Sequence, residues 1–525
     1  MAAESNRSTT AADQELGYEL IRKAGKCRSP IQAALILQSG PLELLTHLFH
    51  DLGIQSNILV CAEYFKDGQL LTKSKVLEAL AEVIHDHPAL SIIGVSQPSE
   101  TKEGNHRLWE ARLPTLRIQD CVKFLTIQGE VDLAWVFENA HSQWFDTKDT
   151  TKPWWKLLVV NGRYAVFVYH HSIGDGLSGY AFHRSFLTAL NADEMTSEAL
   201  GVVAHDNFLI QQPFKMPTPS PFDHIDGKLS WIYIIYCFLF WSILRFFVNQ
   251  KYFLFSDAIF SKDYPSLAKP FPVEMKTRTK VELLRVDGDT MTKCLSECRK
   301  HKTSFTALLQ TLIQVTLAAD FYPKAKLGFS RLAVNLRPLL RVNPGRDVFT
   351  NAVSTYYRVQ QLGRYRSCAN KRSPSQAPVS IQGIAIDVPA VWELAKAYKQ
   401  DLNRATYKTG TIMQDFLLCK IFDRDMEDVS FYGHGTFQNN SFLISNLGVF
   451  EPREDMADGG WSIKEVGFSA GAVRATLSDF GIVFDVASIR GGNCLISAMY
   501  EEGVLKDEMV KEVMMALLAR IKLLV

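Results

Sequence analysis

The stretch that most limits how this chain can fold is YAVFVYHHSIGDGLSGYAFHRSFLTALN, from Tyr164 to Asn191. An apolar run of strand length ends in two adjacent histidines. A glycine-flanked aspartate follows, and then Leu177, Ala181, Leu187 and Leu190 recur at helical spacing. Strand, exit and helix succeed one another without a linker: Gly174 and Gly176 permit the sharp turn, and Asp175 is placed to cap the helix. Neighbouring side chains on a strand point to opposite faces, so His170 and His171 cannot both enter one pocket while the run stays extended. That argues against a shared metal site, and no acidic or sulfur ligand stands at a helpful spacing. His183, more than a turn into the helix, reads as a surface or packing residue. A histidine at a strand end titrates near neutrality and suits a general base; the plain alternative is a hydrogen-bonded turn residue.

The same alternation of strand and helix extends in both directions. NILVCAEYF (Asn57 to Phe65) reads as a strand and TKSKVLEALAEVIHDHPAL as an amphipathic helix stopping before Pro88. CVKFLTI and WKLLVV are further strands, the latter joined to YAVFVYHH by the turn NGR. A second series opens at TKVELLRV (Thr279 to Val286) and runs through two helical stretches. It continues with the strands LGFSRLAVN, FLISNLGVF, FGIVFDVASI and CLISAMYEEG, and ends on the helix KDEMVKEVMMALLARIKLLV. The reading is an α/β chain of two halves, 1–205 and 276–525, with a connecting segment at 206–275. GRYRSCANKRSPSQAPVS (Gly363 to Ser380) is polar and rich in serine and proline, and is read as a surface loop.

Charge and cysteine content exclude other classes. Lys+Arg 57 against Asp+Glu 56 leaves a net charge of +1, without the basic excess of a nucleic-acid binder. The 9 cysteines are odd in number and form no CxxC pair, so neither a disulfide framework nor a zinc site is indicated. Cys294 and Cys298, four apart, are read as ordinary helix residues. The start MAAESNRSTTAADQELGYEL has no apolar h-region, and with reduced thiols this suggests a non-secreted, cytosol-facing protein.

LSWIYIIYCFLFWSIL (Leu229 to Leu244) carries no charge between Lys228 and Arg245, and FFV extends it to Val248. Its aromatic content suits a helix lying at a membrane interface, peripheral on the endoplasmic reticulum or a lipid droplet. A buried helix or a flap over an apolar channel is equally compatible. A transmembrane span is the weakest reading, because it falls short of about 20 apolar residues.

His-His-x-x-x-Asp-Gly is expected by chance on the order of once in a thousand such chains. The motif resembles the HHxxxDG signature of acyl-CoA-dependent acyltransferases, the superfamily of chloramphenicol acetyltransferase, BAHD enzymes and condensation domains. FDTKDTTKPWWKLLVV, the FHRSFLTALN tail, TSFTALLQTLIQVTLA, LAVNLRPLL and ISNLGVF are similar to the fungal and yeast alcohol O-acetyltransferase branch. The resemblance spans about residues 55 to 515 and implies a two-domain chloramphenicol-acetyltransferase-like fold with a channel between the halves.

It further implies direct transfer of acetyl from acetyl-CoA to a hydroxyl of an apolar small molecule. Acetyl-CoA is then a co-substrate, with no bound cofactor and no metal. His171 is the expected base and Asp175 the brace of the loop, paired with Arg337. His170 is expected to pack or bond beneath the loop, and Gly176 to leave room for substrates. Ser445 and Asn446 are candidate donors to the tetrahedral oxyanion. The protein is expected to act as a monomer. An amide-forming or longer-chain transferase, or a non-catalytic membrane-associated binder, are the rival readings. SDFGIVFDV shares only Asp479-Phe480-Gly481 with the plant DFGWG block, so that block's role is not carried over. The IRGGN stretch reads as a hairpin turn and not a phosphate loop.

Overall fold

The computed structural model describes residues 40–98, 106–113, 115–192, 228–256, 276–370, 384–408, 410–422, 441–453, 459–474 and 480–525, with short pieces at 19–20, 209–211, 220–221 and 380–381. Helix α1 (Pro41–Asp51) leads into strand β1 (Ile58–Phe65) and helix α2 (Lys73–Asp86), which Thr72 caps through the Lys75 N–H. The hairpin β2 (Ile92–Pro98) and β3 (His106–Arg112) precedes β4 (Val122–Leu125) and α3 (Leu133–Ser142). Next come β5 (Trp155–Val160), β6 (Tyr164–Tyr169) and α4 (Gly176–Leu190). Asn161 and Gly162, at φ 50° and 63°, form the turn that folds β6 back on β5.

Helix α5 (Trp231–Phe247) is the α-helix among the described residues of the connecting segment. The later half holds β7 (Thr279–Val286), α6 (Gly288–Lys300), α7 (Phe305–Thr316), β8 (Leu327–Asn335) and β9 (Val353–Gln361). It continues with α8 (Leu362–Asn370), α9 (Val388–Asn403), α10 (Thr411–Phe422), β10 (Ser441–Phe450), β11 (Ser462–Ser469), β12 (Phe480–Ile489), β13 (Cys494–Glu501) and α11 (Asp507–Leu523).

Two sheets organise these elements. One has five strands in the order β11-β1-β6-β5-β4; the other has six in the order β7-β13-β12-β10-β8-β9. Strand β11 belongs to the later half by sequence yet pairs with β1, Ser462 opposite Phe65 and Ser469 opposite Leu59. Division at 205 and 276 therefore follows chain order but not sheet membership. At the end of β11 the Ala470 N–H donates to the buried Asp485 carboxylate on β12, which ties the two sheets together.

Helix α4 lies so close to the first sheet that a Cβ at Gly179 would sit 2.2 Å from Val60 Cγ2. The apolar face of α4 joins β1, β5 and β6 in one core, including Phe167 and Phe182 stacked at 3.9 Å. A larger core covers the second sheet with α7, α9 and α11.

Two sequence expectations need correction. Residues 362–370 of the presumed polar loop are helix α8, and Tyr365, Cys368 and Ala369 are buried against α7. Their i, i+3, i+4 spacing was masked by the arginines between them; residues 371–379 lie outside the described ones. Helix α5 is not a buried helix: Trp231, Ile232, Phe238, Phe246 and Phe247 are all exposed. Among the described residues no helix is long and apolar enough to cross a membrane.

Three buried histidines stitch the layers. His183 faces Tyr64 Oη at 2.9 Å and the Val60 carbonyl at 3.0 Å. His141 joins Ser469 Oγ at 2.7 Å and Ser56 Oγ at 3.1 Å, and His87 joins Ser185 Oγ at 2.7 Å. Burial lowers His183 and His87 to about 4 and His141 to about 3. The unfolded chain, titrating near 6.5, takes up these protons first. Stability is therefore full above about pH 6.5 and is lost as pH falls toward about 4, by on the order of 2 kcal/mol per histidine at pH 5. Urea unfolding at pH 7.5 and pH 5 checks this; His183→Gln should flatten the dependence.

Candidate active site

Strand β6 stops at Tyr169 and the chain turns through a single 3₁₀ turn, His171–Ile173, before α4 begins. The strand register sends successive side chains to opposite faces, and His170 goes inward. It is fully buried, 4.7 Å from the Trp154 ring and 4.4 Å from the His50 ring. Its Nδ1 accepts from the Ser172 N–H at 3.1 Å and the Ser172 hydroxyl at 2.7 Å. The neutral ring thus carries its proton on Nε2, which is enclosed without a partner. Burial, with His50, His47 and His171 around it, pushes His170 well below the ordinary histidine range. His170 supports the turn from beneath.

His171 is only half buried. Burial lowers its pKa, while its own carbonyl, the Asp175 charge and the Gly174 carbonyl oppose the lowering. Its Nδ1 is enclosed and makes no hydrogen bond. The turn is held from the other half of the chain: Asn351 Nδ2 donates to the His171 carbonyl at 2.7 Å and the Ser172 carbonyl at 3.1 Å.

Asp175 caps α4 by accepting from the Ser178 N–H at 3.2 Å. Arg337 grips the same carboxylate with both terminal nitrogens, Nη1 to Oδ2 at 2.7 Å and Nη2 to Oδ1 at 2.9 Å. The Ala352 N–H adds a second donor to Oδ2 at 3.1 Å. Asp175 is 5% exposed and Arg337 3%, so the pair is sealed from water. Arg337 Nη2 also donates to the Thr350 carbonyl at 3.2 Å, and the Asp175 N–H donates to the same oxygen. Tyr169 Oη closes the turn with a hydrogen bond to the Asp175 carbonyl at 2.6 Å.

The space at Gly176 is not left for substrate. A Cβ there would meet Leu447 Cδ2 at 2.5 Å and Phe468 Cζ at 2.9 Å, so two apolar side chains occupy it. Leu447 follows Ser445 and Asn446 on β10, which brings that strand to the histidine turn. Asn446 is engaged locally: its Nδ2 donates to Thr306 Oγ1 at 3.0 Å and its Oδ1 accepts from the Gly448 N–H at 2.8 Å. It holds a bulge against β12, with Gly448 at φ 76°. Ser445 is half-buried and pairs in register with Asp485.

Sequence reasoning missed Asn351, Thr350, Ser178 and Tyr169. The stretch DVFTNAVS containing Asn351 has no periodicity, and its partners are 179 and 180 residues away. Also missed was the roof over His170, where His47 and His50 of α1 gather with Trp154. Beside the turn lies a cavity of about 40 Å³, bounded by Glu43, Glu110, Trp154, Ile173, Phe349 and Asn351. Burial and the nearby Glu43 push the Glu110 carboxyl up to about 8. Such a volume is of water size and not of substrate size. Among the described residues no group of three or more His, Cys, Asp or Glu is arranged to hold a metal ion.

A family model for alcohol acetyltransferases matches residues 128–521, which include the histidine turn, Arg337 and β10. The chain belongs to the alcohol acetyltransferase family. It is an acyltransferase, and acyl-CoA is the family's co-substrate. A probable alcohol acetyltransferase, crmB of Aspergillus fumigatus, is 22% identical over 90% of this chain and 96% of its own length. Among solved structures, the trichothecene 15-O-acetyltransferase TRI3 from Fusarium sporotrichioides superposes with a TM-score of 0.63 at 12% identity, covering 93% of this chain and 95% of its own. The starter condensation domain of rhizomide synthetase, solved with C8-CoA, gives 0.54 at 11% identity over 99% and 96%. The fold is thus the two-lobed α/β fold shared by chloramphenicol-acetyltransferase-like enzymes and condensation domains. In this family member Gly481, all that is described of the DFG triplet beyond Phe480, accommodates the Phe255 ring, which a Cβ would meet at 2.6 Å.

Removing one partner of a sealed ion pair strands the other charge. Arg337→Ala is expected to lower folding stability by about 3–5 kcal/mol, and Asp175→Asn to lower it in the same sense. The double variant should lose less than the sum of the two. Denaturant titration of all four proteins measures this coupling.

Proposed function

We propose that this enzyme transfers acetyl from acetyl-CoA to the hydroxyl of an apolar small molecule, with His171 as general base. The observation that carries the reading is the setting of the His171 ring. Its Nδ1 is enclosed by protein, so the nitrogen left to meet a substrate proton is Nε2. The half-buried position leaves one edge of the ring for a substrate, whereas His170 is sealed. In the proposed step Nε2 takes the acceptor's hydroxyl proton as the oxygen attacks the thioester carbonyl. The tetrahedral intermediate then collapses, expelling the CoA thiolate, which recovers the proton from the imidazolium. Donor and acceptor meet in one ternary complex, and no acyl group passes through the protein.

Asp175 takes no part in relaying that proton, because both its oxygens are occupied by Arg337, Ser178 and Ala352. Its role is to keep the turn in shape. For the developing oxyanion the Ser445 hydroxyl is the better donor, since Asn446 is committed to Thr306 and the bulge. The acceptor is read as an apolar alcohol, such as a medium-chain alcohol, sterol, terpenoid or fungal secondary metabolite; Ile173, Phe349 and Leu447 are apolar side chains beside the histidine turn. An amine or a longer acyl chain would meet the same base, and a panel of donors and acceptors separates these readings.

The test is CoA release from acetyl-CoA with a panel of apolar alcohols, followed by mass spectrometry of the products. His171→Ala should lower kcat by about 10²- to 10⁴-fold without unfolding the protein. Retained turnover would remove His171 from the mechanism. A lowered pKa means that the base stays unprotonated to below the ordinary value. The acid limb of the rate profile is therefore expected to fall with a midpoint under 6.5.

Ser445→Ala should reduce kcat by about 10²- to 10³-fold with little change in KM for acetyl-CoA. A rise in KM alone would make Ser445 a binding residue instead.

A further inference from the structure

Helix α5 is 17 residues long and, apart from Ser242 and Arg245, built of apolar and aromatic residues, yet many of its described side chains are exposed. Its inward stripe is formed by Cys237 and Phe240, which meet Tyr357 on β9: Cys237 Sγ is 3.8 Å from the Tyr357 hydroxyl, and the Phe240 and Tyr357 rings lie 5.6 Å apart. Phe240 and Val248 also pack on Phe253 and Phe329. The outward arc holds Trp231, Ile232, Ile235, Phe238, Leu239, Ile243, Phe246 and Phe247, with Ile232 and Phe247 both 82% exposed. At 3.6 residues per turn these positions span roughly half the circumference. Scattered exposed apolar residues are ordinary, but a continuous face of this kind marks a surface that meets an apolar phase or a partner.

Charge selects between those occupants. From Gly227 to Ser256 there is no aspartate or glutamate, while Lys228, Arg245 and Lys251 are present. Lys228 and Lys251, both exposed, bracket the helix at its two ends. The N-terminal end is pinned by α10, where Gln414 accepts from the Ser230 N–H at 2.7 Å and donates to the Lys228 carbonyl at 3.2 Å. The turn just before α10 adds exposed Tyr407 and Lys408. A rim bearing exposed lysines around an aromatic face is drawn to anionic headgroups and repels a second copy of itself. The helix does not suit a span: 17 residues reach about 26 Å against a hydrocarbon core of about 30 Å, no described helix is long and apolar enough to cross, and Cys237 and Phe240 pack on Tyr357 of the edge strand β9.

We propose that α5 is an in-plane membrane anchor which seats this enzyme on a bilayer surface bearing anionic lipid. The outward arc enters the headgroup–acyl boundary, and Lys228, Lys251 and Lys408 contact the headgroups. The anchor is continuous with the catalytic region: α5 is held by α10, α10 packs on β9 and on α1, and α1 lies over the His171–Ile173 turn. An apolar acceptor dissolved in the membrane would therefore enter next to the site. The anchor stands independently of the acyl-transfer reading, since its loss leaves His171 and its surroundings intact.

The experiment is flotation of the full-length protein with vesicles of phosphatidylcholine alone and of phosphatidylcholine with phosphatidylserine. The wild type should float with the anionic vesicles and less with the neutral ones. Its bound fraction should fall as salt rises from about 0.05 M to about 0.5 M. The triple variant Ile232→Ser/Phe238→Ser/Phe247→Ser alters only exposed positions, so its thermal melt should match the wild type. Its bound fraction should be lower by about tenfold or more. Equal flotation of wild type and variant, or no flotation of either, overturns the proposal. So does a concentration-dependent dimer that the variant abolishes without any vesicle binding, which would assign the face to a second copy.

Discussion

The site depends on one sealed ion pair. Asp175 lies at the exit from β6 and Arg337 just after β8, on opposite halves of the chain and 162 residues apart. A carboxylate and a guanidinium taken out of water recover their hydration only when nearly every polar atom finds a partner. Here the carboxylate accepts from Arg337 twice, from Ser178 and from Ala352. Those bonds draw the segment 348–352 against the histidine turn, and Asn351 then anchors the His171 carbonyl. The halves are thereby locked in register at the point where the chemistry is proposed, and strand β11 locks them again from the far side.

That architecture explains why two adjacent histidines have different fates. Strand alternation sends one inward and one outward, and the surroundings complete the distinction. His170 is roofed by α1 and Trp154, takes its hydrogen bonds from Ser172, and is kept neutral by burial. His171 is braced through its backbone carbonyl by Asn351 and is only half buried. The adjacent pair is thus divided between a sealed packing residue and a half-buried one, for which the role of base is proposed.

Much of the fold was readable from local pattern. The apolar alternation of β1, β5 and β6, the Asn-Gly turn and the cap at Asp175 all act over a few residues, and those elements fall where their pattern places them. Helix α8 was missed because its apolar positions are separated by arginines whose charge dominates composition. Asn351 was unreadable because its partners lie 179 and 180 residues away, and an asparagine in a polar segment carries no trace of them. For Gly176, sequence could say that a side chain was excluded but not what excluded it; Leu447 and Phe468 come from elements far along the chain.

Sequence by itself determined the strand–turn–helix unit, the motif within it, and the apolar character of the segment at 229–248, because propensity, capping and hydropathy are properties of short stretches. Only the tertiary structure decided that Arg337 and the 348–352 segment brace the turn, that β11 completes the opposite sheet, and which side of α5 is left uncovered. Hydropathy is identical for a helix buried in a core and one lying on a surface. The difference is made by how much of its circumference distant strands reach, and here β9 reaches only one side.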